Sequence, residues 1–283
     1  MVDIRWAGPA DLNAVNALWE QVFGDKPAVQ AGIIAAFGGM ERVLLLVEDG
    51  VVRSMTCLPL ITLRTARGMG GKAAYLYALA THPEARGRGL GSRLIGRGEE
   101  LLRAQGCAAV VLVPAQPSLF DYYRPLGYTP AFFHSRLEWE GPVGLSPAPG
   151  GLVPIGPEEY GTLRKGWLRG LPHVEYPPAM TALQGFVSRL SGGGLYRLEL
   201  PRGAGCAAVE GRDGPVWVKE LLCHPADVEE ALARLTSAHP APAYRVCAPA
   251  GMGLDGETLP FGVIRRLDGK AAEAGGYLGL AFD

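Results

Sequence analysis

Apolar residues recur at intervals of three and four from about Pro9 to Val22, and again from about Ala28 to Phe37, which predicts two amphipathic helices near the start of the chain. Short apolar runs follow at Arg42 to Glu48, Val51 to Arg64 and Lys72 to Thr81, separated by the turn pair Asp49-Gly50 and by the glycine-rich turn Gly68-Met69-Gly70-Gly71. These predict three antiparallel strands. The helical period then returns up to about Ala104, with Leu90, Leu94, Leu101 and Leu102 on one face and Arg93, Arg97 and Glu100 on another. Ala108 to Val113 predicts a buried strand, Gln116 to Tyr123 a short helix ended by Pro125, and Tyr128 to Trp139 a further strand.

Between residues 141 and 156 the periodicity stops in a stretch dense in proline and glycine, which predicts an interdomain linker. Beyond it the order repeats: helical patterns near Glu158 to Arg169 and Ala179 to Leu190, then strands near Tyr196 to Leu200, Ala204 to Glu210 and Val216 to Leu222. A strand followed by His224-Pro225 echoes the strand followed by His82-Pro83, and Ala248-Pro249-Ala250 echoes Val113-Pro114-Ala115. The second copy is shorter between these landmarks by about the length of the RGRGLGS turn, which reads as a weak tandem repeat that has lost that turn. The expected layout is a domain over residues 1–140, a linker over 141–156 and a degenerate second copy over 157–283.

Composition narrows the function. Hydrophobic residues make up 48% and charged residues 19%, a globular balance. The net charge of -1 supplies no bulk field for nucleic acid or an anionic membrane, so any anion must be held locally. Cys57, Cys107, Cys206, Cys223 and Cys247 are scattered and odd in number, and neither they nor His82, His134, His173, His224 and His239 show metal-ligand spacing. With no apolar signal segment or membrane-length run, the expectation is a soluble cytoplasmic protein without a metal.

Local anion binding has one strong candidate. In Arg86-Gly87-Arg88-Gly89-Leu90-Gly91-Ser92 the glycines permit close backbone approach just before a helix whose first amides lack internal partners. Such a turn can wrap a diphosphate, with the helix dipole and the guanidinium groups of Arg86 and Arg88 adding attraction. A Walker loop would need Lys and then Ser or Thr after its last glycine, and a dinucleotide fingerprint would need a parallel βαβ unit opening the domain. Neither is present. Arg86, Gly89 and Gly91 instead fit the pattern Arg/Gln-x-x-Gly-x-Gly/Ala, and Phe120-Asp121-Tyr122-Tyr123-Arg124-Pro125-Leu126-Gly127-Tyr128 fits an aromatic-Tyr-x-x-Leu-Gly-aromatic segment downstream. On these two motifs residues 1 to about 140 resemble the GNAT superfamily of N-acetyltransferases. The tandem layout is more loosely similar to its Eis-like branch.

The resemblance implies an α/β (α+β) fold with a central mixed, mostly antiparallel sheet flanked by helices, followed by a second, degenerate copy. It implies acetyl-CoA as co-substrate, with Leu79, Ala80 and Thr81 on a bulged strand meeting the pantetheine arm, and Arg86 to Ser92, including Leu90, holding the diphosphate. The acceptor would be the primary amine of a small molecule or peptide. Tyr123 aligns with the family's general acid, and Tyr122 is the reserve, because Pro125 stands where the family more often has a charged residue. A phenol of pKa about 10 stays protonated at neutral pH and can supply the departing thiolate, whose thiol has a pKa of about 8.5. No cysteine lies in either motif, so direct attack by the amine is expected. The base that deprotonates the amine stays open among Glu20, Asp25, Glu41, Glu48, water and the terminal carboxylate of Asp283. Asp227, Glu229 and Glu230 at the head of the corresponding second-half helix would repel a phosphate. A homo-oligomer is compatible with the sequence, and the rival reading is a non-catalytic acyl-CoA-binding regulatory or scaffold module.

Overall fold

A computed structural model describes residues 2–140, 151–211 and 214–282. The chain forms two compact units of mixed α/β structure, one of residues 1–63, 69–129 and 263–272, the other of residues 64–68, 130–262 and 273–283. The elements of the first half are β1 (Val2–Trp6), α1 (Leu12–Phe23), α2 (Pro27–Ala36), β2 (Val43–Glu48), β3 (Val51–Cys57), β4 (Leu60–Thr65), β5 (Gly68–Tyr75), β6 (Tyr77–Thr81), α3 (Leu90–Ala104), β7 (Ala109–Leu112) and α4 (Leu119–Tyr123). The rest are β8 (Thr129–Glu140), β9 (Leu152–Pro154), α5 (Pro157–Trp167), β10 (His173–Glu175), α6 (Pro178–Leu190), β11 (Gly194–Leu200), β12 (Gly203–Glu210), β13 (Val216–Leu222), α7 (Val228–Ala238), β14 (Ala243–Pro249) and β15 (Glu257–Arg266).

In the first unit β1, β2, β3 and β6 form an antiparallel sheet in that order. Two runs that read as single strands are each divided. Val51 to Arg64 breaks at Leu58-Pro59, where proline has no amide to give to a ladder. Lys72 to Thr81 breaks at Leu76, where the chain passes from one sheet to another: Ala73 to Tyr75 run parallel to Ala109 to Val111, whereas Tyr77 to Thr81 pair with β3. Gly68 to Gly71, read as a turn, belong to β5; the tight turn is Ala66-Arg67. On its other side β7 pairs antiparallel with Val263 to Arg266 of β15.

Helix α3 lies over β2 and β3 and buries Leu90, Leu94, Ile95 and Leu102 in a cluster with Leu44, Leu58, Val110, Leu112 and Val263. Its approach is close because Gly98 faces the sheet: a Cβ there would stand 3.1 Å from Cδ1 of Leu58 and 3.3 Å from Cδ2 of Leu44. Its polar edge carries Arg93, Arg97 and Glu100, as the periodicity predicts.

The second unit contains a sheet in the order β8, β14, β13, β12, β11, β9, antiparallel except for the parallel pair β13–β14. Residues 141–150 of the expected linker lie outside the described residues, but Leu152 to Pro154 are a strand paired with β11 and so belong to the second unit. The expected boundaries at 140 and 157 therefore shift, and residues 263–272 return to the first unit, because a short strand without alternating polarity carries no signal of its partner. Beneath this sheet Arg164 and Glu220 form a buried pair at 2.9 Å, with Tyr160 donating to the same carboxylate at 2.6 Å. Arg164 also donates to the Leu278 carbonyl at 3.0 Å, and the Tyr176 hydroxyl to the Leu280 carbonyl at 2.7 Å, which ties down the last described segment. Asp283 lies outside the described residues. No helix among the described residues is long and apolar enough to cross a membrane.

Replacing Gly98 by leucine inserts a side chain where α3 meets the sheet, and should lower stability by about 1–3 kcal/mol through overpacking. Urea denaturation of the variant beside the parent checks this.

Candidate active site

The site is organised by a β-bulge in β6. Ser54 faces Thr81 and Met55 faces Ala80, yet the next pair is Cys57 with Tyr77, so Ala78 and Leu79 together oppose the single residue Thr56. Ala78 takes φ +51, left-handed backbone that few residues other than glycine adopt. Two buried hydroxyls on β3 hold the distorted strand: Ser54 donates to the Ala80 carbonyl at 2.6 Å and Thr56 to the Tyr77 carbonyl at 3.0 Å. On its flank Tyr77 meets Phe37 edge-on at 5.0 Å and Trp19 at 6.2 Å. The expected bulge thus exists, centred on Ala78 and Leu79; Ala80 is a buried, regularly paired residue, and Leu79 and Thr81 are half-buried.

From Thr81 the chain runs through a short 3-10 turn, Pro83–Ala85, into the glycine loop. Gly87 and Gly89 have φ of +75 and +71, and a Cβ at either would meet no atom within 4 Å. No side chain caps the start of α3 at Gly89. An anion arriving there finds open space, bare amides and the positive end of a helix dipole. Leu90 points its side chain into the core, so only its main chain faces the loop.

The arginines behave differently from the sequence expectation. Arg88 makes a forked pair with Glu48, at 2.6 and 3.0 Å, and this partner holds the carboxyl of Glu48 below its usual range. Arg86 is exposed and its Nε donates to the Thr81 carbonyl at 3.3 Å. Arg88 is therefore a brace between loop and β2, and the loop presents its main-chain amides and the exposed Arg86.

The two tyrosines separate by depth. Tyr122 is 38% exposed, and its hydroxyl lies 3.1 Å from Oγ of Ser92 in the first turn of α3. A Cβ on Gly91 would stand 3.2 Å from that hydroxyl and 3.6 Å from Oγ1 of Thr81, so the glycine lets β6, α3 and α4 converge. Tyr123 is 7% exposed, edge-on to Tyr122 at 5.0 Å and to Tyr128 at 5.7 Å. Burial pushes its phenol well above the ordinary value, with the neighbouring Tyr122 adding to the shift. Pro125 ends α4 as expected, and a 3-10 turn, Arg124–Leu126, follows.

Three of the acids considered as bases have structural partners: Glu20 pairs with Lys26 at 2.8 Å, Asp25 accepts from the Trp19 indole at 2.9 Å, and Glu48 holds Arg88. Glu41 is exposed. All five cysteines are buried and free, and burial pushes the Cys57 thiol far up. No group of three or more metal-ligating side chains occurs among the described residues. Sequence reading missed Ser54 and Thr56, whose signal was two small hydroxyls on the inward face of an otherwise apolar run, and it missed Glu48 as the partner of Arg88.

In the second unit the equivalent stretch is shorter. A 3-10 turn, Pro225–Asp227, runs directly into α7 at Val228, with no glycine loop between. The Asp227 carboxylate is buried there and takes Nη1 of Arg202 at 2.6 Å and the Arg202 amide at 2.9 Å.

Residues 3–131 match a family model described as an acetyltransferase (GNAT) domain. No curated protein matches the sequence. Among solved structures the chain is similar to a GCN5-related N-acetyltransferase from Kribbella flavida, at 17% identity and TM-score 0.71, over 96% of this chain and 74% of that one. A GCN5-related N-acetyltransferase from Anabaena variabilis gives 17%, 0.72, 94% and 73%. Eis1 from Mycobacterium abscessus gives 14%, 0.67, 95% and 74%. At these identities the likeness is one of fold, and it extends over both units.

A branched residue at Gly89 cannot hold φ +71 without strain of about 1–2 kcal/mol. Gly89→Val should therefore weaken CoA binding about tenfold or more in calorimetric titration. Its thermal unfolding midpoint should fall by only the few degrees that this backbone strain costs, because the added side chain projects into open space and meets no clash.

Proposed function

We propose that this chain, whose residues 3–131 match the acetyltransferase (GNAT) domain model, is an acyltransferase that moves the acetyl group of acetyl-CoA onto a primary amine of a small molecule or peptide by direct attack. The observation that carries this reading is the convergence of three features at the head of α3. They are the uncapped glycine loop, the bulged edge strand β6 and Tyr122 of α4, with Tyr123 packed edge-on behind it.

The cradle fits the co-substrate. The amides from Gly87 to Ser92, with Arg86 nearby, would hold the diphosphate, and main-chain groups of Leu79 to Thr81 would meet the pantetheine arm along an edge that no strand among the described residues covers. When bound, acetyl-CoA supplies an activated carbonyl and a thiolate leaving group. Tyr123 is the proposed acid. As the amine forms the new C–N bond and the C–S bond breaks, its hydroxyl gives the proton that the sulfur takes; the proton that the nitrogen sheds passes to water, and the phenolate takes one back from solvent. Burial keeps this phenol protonated across the working range, so the acid form is the one present, at the cost of a weaker driving force for giving up its proton. Tyr122, joined to Ser92, sits over the loop and is assigned to holding the co-substrate. The depth of the cysteines disfavours an acetyl-cysteine route, because a buried thiol supplies no thiolate. The second unit, without the loop and with a carboxylate at its helix start, is assigned no CoA site.

Thiol release from acetyl-CoA with a panel of amines, read with a disulfide reagent, tests the proposal. Tyr123→Phe should lower kcat about a hundredfold while CoA affinity changes little. Tight CoA binding without turnover on any amine would overturn acetyl transfer and favour a binding module. The pH profile gives a second check. A folded-state pKa above the ordinary value keeps Tyr123 protonated to about pH 10. kcat should therefore rise with pH as the amine loses its proton, and show no falling basic limb below about pH 10.

A further inference from the structure

Arg265 reaches the tyrosine segment from far along the sequence. It lies in the part of β15 that pairs with β7, within residues 263–272 of the first unit. Its guanidinium has two partners. Nε stands 2.9 Å from Oε2 of Glu99 on α3, and Nη1 donates to the main-chain carbonyl of Leu126, the last residue of the turn that follows α4. Gly127 makes the second contact possible, because at φ +84 it turns left-handed and a Cβ there would overlap the guanidinium.

Glu99 is the unusual member of this group. It is 7% exposed on a helix face otherwise formed by Leu94, Ile95 and Leu102, and burial pushes its carboxyl up against the pull of Arg265. An acid in that position costs stability unless a partner and a purpose keep it there. Its partner is Arg265, and the Tyr128 hydroxyl lies beside it. Tyr128 in turn packs edge-on against Tyr123, and its amide donates to the Tyr123 carbonyl at 3.2 Å. The group therefore grips the α4 segment at two points, the Leu126 carbonyl and the Tyr128 ring, and anchors both to α3.

We propose that Arg265 is a positioning residue for acetyl transfer: clamped by Glu99, it fixes the Leu126-Gly127 turn against α3 and so sets where α4 presents the Tyr123 hydroxyl. This rests on the acetyl-transfer reading above, and it adds a residue that lies well beyond the span of the family match. The side chain touches no reacting atom. A displacement of the phenol by about an ångström would lower turnover without altering the diphosphate cradle.

The test is a mutant cycle in the full-length protein with Arg265→Met, Arg265→Lys, Glu99→Gln and Tyr123→Phe, following kcat, the KM for acetyl-CoA and CoA affinity by calorimetry. Arg265→Met should lower kcat about tenfold or more with CoA affinity within about twofold of the parent. Arg265→Lys, which keeps the charge but loses the fork, should recover part of the loss. In the Tyr123→Phe background the Arg265 change should cost little more, because it acts through the phenol. Unchanged kcat in Arg265→Met overturns the inference. So do losses that multiply in the double variant, or a fall in CoA affinity matching the fall in kcat. If Arg265→Met does not fold, Arg265→Lys and Glu99→Gln carry the same cycle with the same criteria. A parent protein with no turnover overturns the acetyl-transfer reading and this one with it, whereas an active parent with an indifferent Arg265 overturns this one alone.

Discussion

A strand that leaves one sheet for another must give up backbone partners on the way, and the segment from Gly68 to Thr81 does so at Leu76. Up to Tyr75 it runs beside β7; after Leu76, whose amide still reaches the Val111 carbonyl at 2.8 Å, it turns to β3 and becomes the edge of a different sheet. Main-chain groups on that edge need a polar partner. The rest of the site follows from this. The bulge at Ala78 and Leu79 re-aims the edge, the hydroxyls of Ser54 and Thr56 satisfy carbonyls that the distorted ladder leaves over, and Thr81 delivers the chain to the loop ahead of α3.

The electrostatics are equally local. With a net charge of -1 the protein has no long-range field to gather anions, and of the two loop arginines Arg88 is held by Glu48, which leaves Arg86 to add local charge. In the proposed site attraction would come from oriented amides and a helix dipole, which act over about one helical turn. Such a site selects by fit more than by charge. The second unit shows the contrast: where α7 starts directly after its 3-10 turn, a buried carboxylate with Arg202 occupies the helix head.

Much of this was legible in the sequence because it rests on local rules. The helices, the glycine loop, the stop at Pro125 and the tyrosine segment are set by period, by glycine and by proline, and each appears within a few residues of its expected place. What was hidden depends on distance. Nothing in Val51 to Arg64 or Lys72 to Thr81 says that each run serves two sheets, because period and composition are the same on both sides of the break. Arg265 reads as an ordinary surface arginine until it is seen on the Leu126 carbonyl. Tyr123 and Tyr122 cannot be separated by spacing, because depth is decided by Tyr128 and α3.

The strand Val263 to Arg266, which completes the first unit from near the far end of the chain, bears on biosynthesis. During translation β7 emerges long before this partner, so its apolar border stays uncovered while the residues between them are made. Domains whose strands emerge in one run avoid this delay; here apolar surface stays exposed until residues 263–266 have been made. A product that stops short of Val263 leaves β7 paired with β5 alone.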